Sequence, residues 1–104
     1  MFRREDFREI HHEIRKILMQ NWDPIGVSDV PMAADEYDMY IGGICGLLDR
    51  NAGMAEIVAH LQKIEVERMG LTDSSGKPLC PAASREGTAR TLISFKESYK
   101  PAAL

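Results

Sequence analysis

Residues 54–71 read MAEIVAHLQKIEVERMGL, and this stretch decides the fold class. Met54, Ile57, Val58, Leu61 and Ile64 recur at steps of three and four, and Arg68 or Met69 continues them, which is the period of an amphipathic helix. Gly53, with Glu56 three residues later, marks a start. Gly70 suits the left-handed residue that closes a helix, and Leu71 can fold back as the apolar contact beside it. The pattern predicts a helix over 54–69.

Upstream, Phe7, Ile10, Ile14, Ile17 and Leu18 show the same period and predict a helix over 4–21, with Asp6 and Glu9 as an N-terminal capping pair. Pro24 stops it, since proline lacks a donor and disfavours helical geometry at Asp23. Tyr37, Ile41, Ile44 and Leu48 predict a helix over 35–50, with Asp35 and Glu36 in a first turn whose dipole favours negative charge. Gly42, Gly43 and Gly46 weaken it by about 1 kcal/mol each against alanine. Gly42 and Gly46 share a face and would let another backbone come close. The run GGICG lacks the Lys-Ser/Thr ending of a phosphate loop.

Downstream, residues 72–84 read as a surface connection. Ser84 can cap a helix over 85–99 that places Ala89, Leu92, Phe95 (or Lys96) and Tyr99 on one face, ended by Pro101. RTLISF alternates enough for a short strand, so 88–96 stays open between helix and strand. The expected fold is all-α: a single domain over 1–104, built as a small four-helix bundle with one long irregular connection between helices 1 and 2.

A chain of 104 residues with 44% hydrophobic and 28% charged residues has an ordinary globular composition. Its formal charge of −3 argues against a general nucleic-acid binder. No apolar run approaches a membrane helix, and the N-terminus lacks the apolar segment of a secretory signal. Two cysteines, Cys45 and Cys80, fit free thiols in a reducing cytoplasm.

Known chemical patterns fail one by one. His12-Glu13 has Lys16 where a zinc-protease helix needs its second histidine. Glu9 and His12 have di-iron spacing, but Glu56 and His60 stand four apart, so the second half is missing. No Gly-x-Ser-x-Gly elbow is present, and Cys80 has no histidine beside it in sequence. His60 falls at the edge of an apolar face, the place of a hydrogen-bonded boundary histidine rather than a base. No catalytic residue, metal or cofactor is expected.

Charge distribution is the anomaly. Residues 17–49 contain no Lys, Arg or His, yet hold Asp23, Asp29, Asp35, Glu36, Asp38 and Asp49. Either this segment pairs with cations inside the fold, or it offers an acidic face to a basic partner. Calcium loops space their ligands more closely. At its start, Asp23-Pro24-Ile25-Gly26 carries the residues of a type I turn, with Asp23 accepting from the backbone two residues on and Trp22 anchoring the corner. The candidate contact residues are Trp22, Asp23, Asp35, Glu36, Asp38 and Tyr40.

WDPIG, DEYDMYIGGICGLL and MAEIVAHLQKIEVERMGL, covering residues 17–71, resemble a family of small uncharacterised bacterial helical proteins, domains of unknown function. Some of these are similar to small acidic proteins suspected of toxin immunity. The resemblance implies a bacterial, cytoplasmic, all-helical protein and carries over no catalytic residue. The expected function is a non-enzymatic interaction module with an acidic face for a basic protein. A small metal-dependent enzyme using Asp, Glu and His, or a homodimer packed through Gly42 and Gly46, are the alternatives.

Overall fold

The computed structural model describes Phe2 and residues 4–99. The chain is all-α: among the described residues there are four α-helices, α1 (Phe7–Ile17), α2 (Ile41–Asp49), α3 (Met54–Lys63) and α4 (Ala82–Ser98), and no strand. A 3-10 turn, Arg4–Asp6, leads into α1. None of the helices is long and apolar enough to cross a membrane. Pro101, expected to end the last helix, lies outside the described residues.

Two helices end in an uncommon way. α1 runs on into a π turn, Leu18–Trp22, and α3 into another, Ile64–Arg68. Each is closed by a hydrogen bond spanning five residues, Asp23 N to Leu18 O at 2.8 Å and Met69 N to Ile64 O at 3.0 Å. Gly70 then leaves α3 at φ +67°, and Leu71 N–H reaches back to the Glu65 carbonyl at 2.9 Å. Glycine takes that left-handed conformation without steric cost.

The core is aliphatic and drawn from all four helices. Ile10, Ile14 and Leu18 meet Ile41, Ile44 and Leu48 of α2, Ile57 and Leu61 of α3, and Ala89 and Leu92 of α4. Full burial of one such large side chain contributes about 1.5–3 kcal/mol. Phe7 departs from its expected place. As the first residue of α1 it precedes the inward stripe, stays 55% exposed, and stacks on His11 at 5.2 Å.

The segment expected to start helix 2 at residue 35 behaves differently. Glu36, Asp38 and Tyr40 each donate a backbone N–H to the carbonyl three residues earlier, giving successive tight turns, and regular α-helix begins only at Ile41. Asp35 and Glu36 therefore sit on a turn and not in a helical first turn. The glycines correct a second expectation. A Cβ on Gly42 or Gly46 would meet nothing within 4 Å, so no backbone packs there. Close approach occurs at Gly43, whose absent Cβ would lie 3.5 Å from His60 Nε2.

Residues 88–96 are helical. Ala89 and Leu92 are wholly buried, and the Thr88 and Thr91 hydroxyls donate to carbonyls one turn back, at 2.7 and 2.9 Å. Those bonds keep the hydroxyls from competing with the helix for its own amides. The cap is Pro81 rather than Ser84, which falls inside the first turn. In the preceding connection Asp73 Oδ1 accepts from the Ser75 and Lys77 amides, and Thr72 and Pro78 form one isolated antiparallel bridge.

Candidate functional site

The corner between α1 and α2 is built around Asp23. Its backbone is left-handed at φ +36°, which Asp tolerates better than most residues. Gly26 N–H closes the turn onto Asp23 O at 3.1 Å. The Asp23 carboxylate does not bond two residues on, as the sequence suggests. It accepts instead from Val27 N at 2.8 Å, Ser28 N at 3.0 Å and the Tyr37 hydroxyl at 2.7 Å. Burial would raise the Asp23 pKa, but those donors outweigh it and hold the carboxyl below its usual range. Tyr37 is 2% exposed; burial first, then the bond to Asp23, pushes its phenol well above the ordinary value. Its oxygen also accepts from Ile25 N at 3.3 Å. The loop is tied across 14 residues by one tyrosine.

Trp22 and Tyr40 complete an aromatic corner, with Trp22 5.4 Å from Tyr37 and edge-on to Tyr40 at 6.2 Å. Beneath lies a polar cluster in the core. Trp22 Nε1 donates to Glu65 Oε2 at 2.7 Å, and Arg85 Nη1 donates to Glu65 Oε1 at 2.7 Å. Glu65 is fully buried and Arg85 only 6% exposed. Arg85 Nη1 also reaches the Cys80 carbonyl at 3.3 Å, while its buried Nε meets no acceptor among the described residues. Sequence reading missed this pair, though the signal was there. Glu65 stands four residues after Leu61, and Arg85 four before Ala89, so both charges fall on apolar stripes.

The carboxylates of residues 17–49 divide in two. Asp23 is spent on its loop, Asp49 accepts from the Phe2 amide at 2.8 Å, and Asp38 forms a two-pronged pair with Arg15, through Nε at 2.9 Å and through Nη2. The bond to Asp38 raises the Arg15 pKa above its ordinary value. Asp29, Asp35 and Glu36 are exposed, and among the described residues none makes an ion pair. Interleaved with them stand four exposed apolar side chains: Ile25 at 41%, Val30 at 46%, Met32 at 95% and Met39 at 76%.

Of the six candidate contact residues, the structure thus buries Trp22, commits Asp23 and Asp38 to internal partners, half-buries Tyr40 against Trp22, and leaves Asp35 and Glu36 in solvent. The exposed methionines were not among the six, and their positions in an irregular loop gave no periodic signal. Burial, then Asp49, pushes the Cys45 thiol up to about 11, and burial followed by Glu65 raises Cys80. Among the described residues no three His, Cys, Asp or Glu side chains are grouped to hold a metal ion. No protein-family model, curated protein or solved structure matches this sequence.

Proposed function

We propose that the chain is a cytoplasmic, non-enzymatic protein-binding module. It would be a four-helix bundle whose long connection between α1 and α2 forms the contact surface. One observation carries the reading: Met32, Met39, Val30 and Ile25 stand exposed among the unpaired carboxylates Asp29, Asp35 and Glu36, with no base in the segment. Methionine side chains adapt to irregular surfaces and suit a binding face. Carboxylates around them steer a basic partner and reject an acidic one. The internal side of the same loop, Asp23, Tyr37 and Trp22, holds the surface in shape before binding, which lowers the ordering cost of association.

The partner that fits is a protein with a basic rim around an apolar patch, as an immunity protein meets a nuclease-like toxin. Pull-down from a bacterial host should retain a basic protein at low salt and lose it with Asp35→Lys, Glu36→Lys and Met32→Ser combined. All three side chains are exposed, so the variant should keep its helical signal. A retained protein indifferent to these changes, or no retained protein, overturns the proposal.

A further inference from the structure

A second surface lies where the start of α2 faces the end of α3. Tyr40, Gly43, His60, Lys63, Glu67 and Arg68 line a cleft of about 480 Å³, floored by Ile64 and overhung by Met39. That volume is within the usual size of a small-molecule site, about 300–1,000 Å³.

The π turn makes this lining possible. In an α-helix, residues five apart point about 140° away from each other. The wider Ile64–Arg68 turn brings positions five apart closer to one line, and Lys63 and Arg68 reach the same cleft. Neither cation forms an ion pair or a side-chain hydrogen bond among the described residues. Gly43 opens the opposite wall: with no side chain there, the His60 imidazole lies against the α2 backbone, and space remains beside it. Tyr40 is held edge-on by Trp22 and offers a ring and a hydroxyl.

We infer that this cleft binds a small organic anion, a carboxylate or phosphate ester carried on an apolar body. Lys63 and Arg68 take the anionic group, while Tyr40, Met39 and Ile64 receive the apolar part. Glu67 at the rim leaves the charged lining at a net +1, which admits an anion of low charge and disfavours a polyphosphate. Burial, then the charges of Lys63 and Arg50, keeps the His60 pKa below its usual value, so the imidazole is neutral at pH 7 and able to accept or donate one hydrogen bond. This inference stands apart from the partner surface, since it needs neither the loop carboxylates nor Met32.

Titration of the isotope-labelled chain with benzoate and with phenyl phosphate tests it by nuclear magnetic resonance. At least one probe should give saturable shifts centred on Gly43, His60, Lys63 and Arg68, and the stronger responder tells whether the site prefers a planar or a tetrahedral anion. Lys63→Met with Arg68→Met should weaken that binding about tenfold or more, because hydrogen bonds to charged groups contribute about 1.5–3 kcal/mol. Gly43→Val should abolish it by occupying the cleft without removing a cation. Lys77→Met with Arg90→Met, exposed cations outside the cleft, should leave it unchanged. No saturable shift with either probe, or equal weakening by the Lys77/Arg90 pair, overturns the inference.

Discussion

Replacing Glu65 by glutamine turns one buried carboxylate oxygen into an amide nitrogen and changes little else. In the native fold both oxygens are engaged, one by Trp22 Nε1 and one by Arg85 Nη1, each at 2.7 Å. Glutamine brings one acceptor and one donor, so whichever way its amide faces, a buried donor meets a donor. Stranding the indole N–H costs about 1–3 kcal/mol. Arg85 also loses its countercharge while 6% exposed, and removing one partner of a buried pair typically costs about 3–5 kcal/mol. The two costs overlap, because glutamine retains one of the bonds, and we expect about 3–4 kcal/mol at pH 7. A domain of this size has about 5–15 kcal/mol to lose, so the variant should fold with a much lower midpoint. Urea unfolding read by fluorescence follows the change at its source, since Trp22 is the sole tryptophan and bonds directly to Glu65. With a slope of about 2 kcal/mol per molar urea, the midpoint should fall by about 1.5–2 M. Glu65→Leu with Arg85→Met should recover most of the loss, since apolar replacement of a whole buried pair is often neutral. A Glu65→Gln loss under about 1 kcal/mol, or a double variant worse than the sum of its singles, would refute the reasoning.

Three further outcomes follow from the loop, the histidine and the thiols. Because hydrogen bonds hold the Asp23 pKa below its model value of 3.8, its stabilisation is complete above that pH and lost as pH falls through the folded value. Asp23→Asn should remove that acid-range slope and cost about 1–2 kcal/mol at pH 7, measured by urea titrations from pH 2.5 to 7. His60 is depressed from 6.5, so the unfolded chain takes up its proton first, and stability should decline as pH drops below 6.5; His60→Gln should flatten that part of the profile. With its pKa pushed to about 11, Cys45 carries roughly 200-fold less thiolate at pH 8 than a free cysteine, and iodoacetamide should label it slowly in the native protein and quickly in urea.

Helix positions were legible wherever apolar period and stop signals agreed, as over α3, where Ile57 and Leu61 are wholly buried and Gly70 closes the segment at φ +67°. Residues 88–96 could not be decided from local pattern, because RTLISF satisfies both periods; burial of Ala89 and Leu92 against the other helices settles it as helix. The start of α2 was misplaced for a different reason. Asp35 and Glu36 suit a helix N-terminus, yet they suit a chain of tight turns equally well. In the candidate surface, sequence gave the charges but not their fates: nothing local says that Asp38 meets Arg15, 23 residues earlier, while Asp35 stays free of ion pairs. The cleft was invisible, because Lys63 and Arg68 belong to separate faces of any regular helix.

The π turn at Ile64–Arg68 holds one residue more than an α-helical turn would, and that extra residue serves two sides of the molecule at once. Inward, it places Glu65 between Trp22 and Arg85; outward, it gathers Lys63 and Arg68 on one cleft. Deleting Val66 would let the segment relax to ordinary helix, and everything beyond it would rotate by about 100°. Core and cleft would then fall out of register together. The length of this segment is fixed from both directions, so substitutions are tolerable here where insertions and deletions are not.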